Sequence, residues 1–378
     1  MGTYGYDRDF LAERGIRTVE LTSADGMGRV LMVPAWQGRV LTSTSGGRTA
    51  PGYGWINHGF IASGEFNPQF NSFGGEERFW IGPEGGPFSW FFKPGEVQDY
   101  AHWKVPSIID SDPFTVDSVS DTSVSYSARA SLENASGRRF EIGFRRAVSL
   151  LSREETEALL GVRLGAGVRA VVYRTDNTLV NEGAEAWTRE TGMPSVWLLG
   201  CFNPSPTTTV FIPYNKGCAG RIVKDDYFGV MPPGRLVVDD GMVYFKIDGA
   251  LRAKIGLPAG SARDVCGSYD SASGVLNILK YTVPDGPCDY VNSQWGPQDD
   301  AFGGDVINSY NDGPTETGVV MGPFFEIETS SPAAALAPGE RLTHTQYTLH
   351  LEGAPADLDP VVRAVFGVPL SRIAGAMR

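Results

Sequence analysis

GGEERFWIGPEGG, residues Gly74–Gly86, combines five glycines and a proline with aromatic and charged side chains. Glycine adopts backbone conformations that other residues avoid, so this spacing predicts a tightly turned main chain. Phe79, Trp80 and Ile81 are expected to anchor that turn in a core. The charged residues of the stretch are then expected at the accessible tips of a rigid loop; they are Glu76, Glu77, Arg78 and Glu84.

Such a loop has the chemistry of a sugar site. Polar groups satisfy sugar hydroxyls, and adjacent aromatic rings cover the apolar ring faces. We therefore expect Glu76, Glu77, Arg78 and Trp80 to bind substrate. The alternative is a structural loop in which a glutamate and Arg78 only hold the loop together.

The rest of the chain alternates short strand-like runs with turns. Its 47 glycines and 25 prolines recur at short intervals, and the runs between them alternate apolar and polar residues. Early examples are TVELTS (Thr18–Ser23), RVLMV (Arg29–Val33) and RVLTST (Arg39–Thr44). The pattern predicts a single all-β domain over residues 1–378, a large antiparallel β-sandwich with a few short helices.

Two hairpins and two helices have local signals. Asn134–Gly137 and Asp248-Gly249 each separate two strand-like runs, which predicts two β-hairpins. Ser152 and Glu155 form a capping-box pattern for a helix ending at Leu160. Near the C-terminus, Asp359 is expected to cap a helix that starts at Pro360 and stops before Gly367.

Composition excludes several function classes. The net charge of the 378 residues is −12 with no basic run, which argues against nucleic acid as a partner. No apolar run has the length of a membrane span. The first residues lack the features of a signal peptide, so we expect either a cytoplasmic protein or one whose signal has been removed.

No cofactor is expected, and no metal site is expected apart from the calcium alternative given below for one polar segment. Nucleotide-binding and zinc-hydrolase fingerprints are missing from the sequence. The cysteines have no CxxC spacing, which argues against zinc and favours free thiols. They are Cys201, Cys218, Cys266 and Cys288.

Two candidate strands near the C-terminus carry titratable groups. Strand alternation in FFEIET places Phe325 and Ile327 on one face and Glu326 and Glu328 on the other. Two neighbouring carboxylates indicate a perturbed pKa or a polar ligand, the alternative being a solvated face. On the next strand, His344 lies on the polar face and could form an acid–base pair with a strand glutamate.

Other candidate ligand-binding residues lie in turns and aromatic segments. Arg39 leaves a tight turn, where its guanidinium could clamp a sugar or form a salt bridge. Trp55, Asn57 and His58 combine an aromatic platform with polar groups, and His102 repeats this pattern. The alternative for these segments is ordinary packing with a hydrogen-bonded histidine.

A polar segment follows Gly303 and contributes Asn308 and Tyr310 to the expected sugar site. Its oxygen-bearing residues could instead bind calcium or simply form turns. Those residues are Asp305, Asn308, Asn311 and Asp312.

With these segments identified, the chain resembles the galactose mutarotase-like superfamily. More narrowly, it resembles an uncharacterised family within it that has a domain-of-unknown-function label. The resemblance rests on QGRVLTSTSGG (Gln37–Gly47), GGEERFWIGPEGGPFSWFFKPG (Gly74–Gly95) and NSYNDGP through the Thr-x-Tyr strand (Asn308–Leu349). It covers nearly the whole chain for the narrow family, and mainly the C-terminus for aldose 1-epimerases.

The resemblance implies a β-supersandwich that binds a mono- or oligosaccharide on one sheet. In epimerases a strand glutamate acts as general base and a histidine as general acid. Glu328 matches that glutamate best, with Glu326 as the alternative. The segment Gly200–Pro204, which resembles the site of the epimerase histidine, has none. Proton transfer would then use His58, His102 or His344.

Three functions agree with this sequence. The first is acid–base chemistry at a sugar's anomeric centre, most simply epimerisation. The second is a non-catalytic glycan-binding module. The third is a glycoside hydrolase or polysaccharide lyase acting on a larger, uronate-containing glycan, with Arg39 and Arg78 as the carboxylate clamp.

Overall fold

Antiparallel sheets dominate the computed structural model, which describes residues 2–315 and 318–377. A three-stranded sheet contains β1 (Val19–Thr22), β2 (Arg29–Val33) and β3 (Arg39–Thr44). A ten-stranded sheet contains, in spatial order, β11 (Leu236–Asp239), β12 (Met242–Ile247), β10 (Thr208–Pro213), β14 (Val265–Asp270), β15 (Val275–Tyr281), β18 (Arg341–Glu352), β8 (Arg169–Asn181), β7 (Arg139–Leu150), β6 (Ser123–Glu133) and β5 (Thr115–Val119). A five-stranded sheet contains β13 (Ala253–Pro258), β16 (Asp305–Asn311), β17 (Phe325–Ser330), β9 (Ser195–Phe202) and β4 (Arg78–Gly82).

The helices are short and peripheral. They are α1 (Tyr4–Glu13), α2 (His58–Ser63), α3 (Arg153–Leu160), α4 (Pro355–Phe366) and α5 (Leu370–Gly375), with 3₁₀ turns at Pro34–Trp36 and Ser107–Ile109. Within the described residues, none of these helices has the length and apolarity needed to cross a membrane.

The ten- and five-stranded sheets pack face to face. Val210 and Phe245 of the larger sheet share one buried cluster with Ile255, Ile307 and Ile327 of the smaller sheet. Burial of apolar surface of this kind is the main stabilising contribution to folding. The predicted fold, a large antiparallel β-sandwich with few helices, is confirmed.

The outer face of the ten-stranded sheet is covered by helices. Leu349 and Leu351 of β18 pack in one buried cluster with Leu358 and Val361 of α4 and Leu370 of α5. The polar face of β18 consequently points inward, between the sheets. That orientation determines where its histidines lie.

One predicted hairpin is confirmed and the other is wrong. Asn134–Gly137 joins β6 and β7, which pair along their whole length. Asp248-Gly249 does not close a hairpin, because β12 pairs with β10 and β11 whereas β13 pairs with β16. The Asp248 carboxylate instead accepts a hydrogen bond from Arg235 Nη2 at 2.7 Å, where the chain crosses between sheets.

The helix predictions divide in the same way. Ser152 and Glu155 form the predicted reciprocal capping box of α3. The C-terminal helix starts at Pro355, five residues before the predicted position, and Pro360 lies inside it. Asp359 does not cap it, because its carboxylate accepts a hydrogen bond from the backbone N–H of Leu370 at 2.8 Å.

Glu76 is not at a loop tip but within the core. Its exposed fraction is 1%, and its Oε2 accepts hydrogen bonds from Ser43 Oγ at 2.8 Å and Tyr173 Oη at 3.1 Å. His350 Nε2 lies 3.0 Å from the same oxygen. One carboxylate therefore connects β3, β8 and β18, since buried charge is tolerated only with such partners.

Glu77 is also buried, and Arg78 starts β4 rather than lying in a loop. The Glu77 carboxylate pairs with Arg146 Nη2 of β7 at 2.9 Å and accepts a hydrogen bond from Gln346 Nε2 of β18 at 2.8 Å. Burial raises the pKa of Glu77, while Arg146 opposes the rise. Glu76 and Glu77, both predicted as substrate contacts, thus bind the sheets together.

Glu77→Ala is expected to destabilise the fold strongly. It leaves the fully buried Arg146 without its carboxylate, which typically costs about 3–5 kcal/mol. Urea unfolding followed by circular dichroism measures the change. Glu133→Ala is the matched control, because the Glu133–Arg139 pair is exposed and is worth at most about 1 kcal/mol. Equal losses in the two variants would contradict a structural role for the Glu77 pair.

Candidate functional site

A cleft lies on the face of the five-stranded sheet that points away from the sandwich core. Phe325 and Ile327 face the core, so strand alternation places Glu326 and Glu328 on the opposite face. This division of β17 is the one that the sequence predicted. Glu326 lines the cleft, and Glu328 lies beneath its surface with 1% exposure.

Three rows of paired residues cross this face. The first row contains Lys254, Tyr310, Glu326 and Cys201. The second row contains Glu328, Leu199 and Arg78. The third row contains Trp197 and Trp80. Cys201 and Trp197 are four residues apart along β9, so the first and third rows are separated by about 13 Å.

Two ion pairs form the centre of the cleft floor. Arg78 pairs with Glu326, which also accepts a hydrogen bond from Cys201 Sγ at 3.3 Å. Lys254 Nζ lies 2.9 Å from Glu328 Oε2. The structure thus joins the glycine-rich stretch to the C-terminal strand in one cleft.

Burial and neighbouring charges act against each other in these pairs. Burial raises the pKa of Glu326, and the Arg78 guanidinium opposes the rise. Burial lowers the pKa of Lys254, but the carboxylates of Glu328 and Glu84 more than reverse this, so its pKa is raised. Lys254 therefore remains an ammonium group, a hydrogen-bond donor rather than a nucleophile.

Glu84 follows β4 and lines the cleft with its side chain partly exposed. Trp103 Nε1 donates a hydrogen bond to Glu84 Oε1 at 2.9 Å. Burial raises the pKa of Glu84 to about 7, with Glu328 adding to the rise and Lys254 opposing it. A carboxyl group with this pKa can both donate and accept protons near neutral pH.

Aromatic side chains form two groups along the cleft, which has a volume of about 150 Å³. The first, the Trp55 cluster, consists of Trp55, Phe228, Tyr310 and Phe324. The second, the Trp103 cluster, consists of Phe70, Trp80, Tyr100, Trp103 and Trp295. Such rings can cover the apolar faces of a sugar.

The predicted histidines lie outside the cleft. His344 is fully buried between the sheets, with Nε2 3.0 Å from Thr329 Oγ1, and burial lowers its pKa to about 3. His58 contacts Asp7 at 2.8 Å beside α1, and His102 contacts Asp99 at the surface. The inward orientation of the polar face of β18 explains the position of His344.

Arg39 and Asn57 also lie away from the cleft. The buried Arg39 guanidinium donates to the backbone oxygens of Gly74 at 3.0 Å and Asp110 at 3.1 Å. Asn57 Oδ1 accepts from the backbone N–H of Phe60 and caps α2. Both residues therefore hold neighbouring segments in place rather than face the cleft.

Side chains of the segment from Asp305 to Asp312 form hydrogen bonds and ion pairs with other side chains of the protein. Asn308 shares the row of Glu328 but donates to Tyr227 Oη at 3.2 Å. Asp305 pairs with Lys224 at 3.2 Å, and Asp312 accepts from Tyr310 Oη at 2.7 Å. Within the described part of the chain, no group of three or more His, Cys, Asp or Glu residues could hold a metal ion.

Several cleft residues had no sequence signal. The run SVWLLGCF of β9 is entirely buried and, after Ser195, has no polar residue that alternates with apolar ones. Alternation could therefore not identify Trp197 and Cys201 as cleft residues. Lys254 lies 74 residues before Glu328, its partner in space. Glu84 was expected at an accessible loop tip because it lies in the glycine-rich stretch, but it was not among the expected sugar contacts.

Solved structures share this fold at low sequence identity. A "Putative aldose 1-epimerase" from Escherichia coli K12 aligns with a TM-score of 0.50 and 15% identity, covering 89% of this chain and 99% of that chain. The Slr1438 protein from Synechocystis sp. PCC 6803 aligns with a TM-score of 0.54 and 11% identity, covering 89% and 96%. The chain has the galactose mutarotase-like fold.

More narrowly, the chain belongs to a family of unknown function, DUF6786, which it matches over residues 2–377. No curated protein matches the sequence. The family assignment agrees with the resemblance that the sequence segments indicated.

Glu84 should make stability depend on pH. Its folded-state pKa of about 7 exceeds its ordinary value of 4.5, so folding favours its protonated form. This stabilisation is complete below about pH 4.5 and lost as the pH rises through about 7. The difference in unfolding free energy between wild type and Glu84→Gln should change by about 2 kcal/mol between pH 5 and pH 8. Urea titrations at both pH values measure it, and a pH-independent difference would contradict the raised pKa.

Proposed function

We propose that this chain is a carbohydrate-active enzyme in which Glu84 transfers protons at the anomeric centre of a sugar bound in the cleft. The observation that carries the proposal is the position of Glu84, a carboxyl group that lines an aromatic cleft and accepts a hydrogen bond from Trp103. Burial raises its pKa to about 7. Perturbed titratable groups in clefts are concentrated at functional sites. The Escherichia coli structure that shares the fold is described as a "Putative aldose 1-epimerase", which agrees with this chemistry.

The sugar is held by rings and by cations. The Trp103 cluster beside Glu84 supplies surfaces for stacking. Arg78 and Lys254 line the cleft and supply hydrogen-bond donors for hydroxyl groups. Their carboxylate partners, Glu326 and Glu328, fix the positions of these two donors.

The reaction is the opening and closing of a sugar ring. Glu84 accepts the proton of the anomeric hydroxyl, the bond between the anomeric carbon and the ring oxygen breaks, and an aldehyde forms. The ring oxygen takes up a proton from the solvent, to which Glu84 later releases its own, and Lys254 stabilises the developing negative charge on the ring oxygen. The aldehyde group then rotates about the bond to its neighbouring carbon. Reversal of the steps closes the ring and gives the other anomer.

In this proposal Glu328, the first sequence candidate for the base, orients Lys254 instead. Its oxygen Oε2 is occupied by Lys254 at 2.9 Å and by the Trp197 Nε1 donor at 3.0 Å. Glu326 reaches the cleft but is paired with Arg78. Glu84 has no cationic partner within ion-pair distance among the described residues, which favours it as the proton-transfer group.

A second candidate is a glycan-binding module without catalysis. The observation that favours it is that both strand glutamates are engaged in ion pairs and that all four histidines lie outside the cleft. Titration calorimetry with mono- and oligosaccharides distinguishes the two: binding without turnover supports the module. Hydrolysis or lyase chemistry stays a prediction of the sequence, tested by mass spectrometry of incubated polysaccharides.

Glu84→Gln is expected to lower the rate of sugar mutarotation by at least about 100-fold, the usual lower range for general acid–base catalysis. The amide keeps the size of the side chain but cannot exchange a proton. Polarimetry on freshly dissolved aldoses and uronic acids measures the rate for both proteins.

Glu65→Gln is the matched control, because Glu65 is exposed and does not line the cleft. It should leave the rate unchanged. Equal rates for wild type and Glu84→Gln on every sugar that reacts would contradict the proposed role of Glu84.

A further inference from the structure

The two aromatic clusters lie at opposite ends of the cleft. Trp55 donates its backbone N–H to Cys201 O at 3.0 Å and so lies at the first row. The Trp103 cluster lies at the third row, because its member Trp80 belongs to that row. The Trp80 ring contacts the Phe70 ring of the same cluster, with centroids 5.7 Å apart. The two rows are about 13 Å apart along β9, which exceeds the width of one sugar ring.

Both ends keep uncovered aromatic surface. Tyr100 of the Trp103 cluster is 65% exposed, and Phe228 of the Trp55 cluster is 46% exposed. Both rings line the cleft. Exposed aromatic rings at each end indicate a stacking surface for more than one sugar unit.

A third cation, Arg252, lies at the Trp55 end. Its guanidinium carbon lies 4.1 Å from the centroid of the Phe228 ring, and its Nε donates to Tyr310 Oη at 3.3 Å. It forms no ion pair with any side chain in residues 2–315 or 318–377, whereas Arg78 and Lys254 are paired. Its two terminal nitrogens have no acceptor among the described residues, and Arg252 lines the cleft. The planar guanidinium matches carboxylate and sulfate oxygens.

The distribution of charge in the cleft also favours an anionic ligand group near Arg252. The opposite charges cancel within the Arg78–Glu326 pair and within the Lys254–Glu328 pair. Arg252 adds a positive charge that has no direct ion-pair partner among the described residues and is linked to Asp312 only through Tyr310 Oη. Glu84 lies at the other end of the cleft. A cleft with a stacked arginine at one end is suited to an anionic group there.

We infer that the cleft takes an acidic oligosaccharide of at least two sugar units, whose carboxylate or sulfate group binds Arg252 while a neighbouring ring stacks on the Trp103 cluster. This inference rests on the proposed sugar site and specifies its substrate class. The sugar on the Trp103 cluster is the one that reaches Glu84.

The test uses a glycan array of uronate-containing, sulfated and neutral saccharides of one to four units, followed by calorimetry on the saccharides that bind. Wild type is expected to bind acidic saccharides of two or more units at least tenfold more tightly than neutral ones of equal length or acidic monosaccharides. Uronate and sulfate members of the array identify which anion Arg252 prefers.

Arg252→Gln should remove at least tenfold of the affinity for the acidic saccharides and leave that for neutral ones unchanged. Arg341→Gln is the matched control, because Arg341 is exposed on β18 and does not line the cleft. Circular dichroism and urea unfolding verify that both variants are folded. The inference would be overturned if the affinity did not depend on the anionic group or on chain length. It would also be overturned if no acidic saccharide bound, or if Arg252→Gln had the same affinity for acidic saccharides as wild type.

These outcomes are separable from those for Glu84. Tight binding of an acidic disaccharide without turnover supports the inference and rejects catalysis. Turnover of neutral monosaccharides that depends on Glu84, together with no preference for acidic saccharides in binding, supports the proposed function and rejects the acidic oligosaccharide.

Discussion

The buried carboxylates of Glu76 and Glu77 are the interaction on which the rest of the structure depends. They connect β3, β7, β8 and β18 across the interior of the sandwich. Removing either partner of such a buried pair leaves an uncompensated charge. Because Arg78 is the next residue, the same polar network fixes where its guanidinium enters the cleft.

Much of the fold could be predicted from the sequence. Alternation in FFEIET separated Phe325 and Ile327 from Glu326 and Glu328 correctly, because that strand has one apolar and one polar face. The rule fails for β18, where the polar face is also buried. A solvated face and a buried polar network have the same pattern, so the core positions of His344 and His350 were out of reach.

The site was harder to predict than the fold, for a related reason. A residue such as Lys254 becomes a cleft residue only through pairing of β13 with β16 and of β16 with β17. These contacts join distant parts of the chain and depend on the whole sheet order. Arg39 is the opposite case, a predicted ligand-binding residue that lies away from the cleft. An arginine next to a turn can donate to buried backbone oxygens as well as to a ligand.

The cleft contains both ion-paired and unpaired charged side chains. Two ion pairs hold cationic donors in fixed positions, which reduces the reorganisation needed when a polar ligand binds. Glu84 and Arg252 line the cleft without an ion-pair partner among the described residues. The chemistry of the site is therefore expected at these two residues rather than at the paired strand glutamates.

A crystal structure with a bound saccharide tests this account most directly. The account predicts a sugar ring against the Trp103 cluster, with its anomeric oxygen within about 3 Å of a Glu84 carboxyl oxygen. A saccharide bound outside the cleft, or one in the cleft with its anomeric carbon directed away from Glu84, would contradict the central claim.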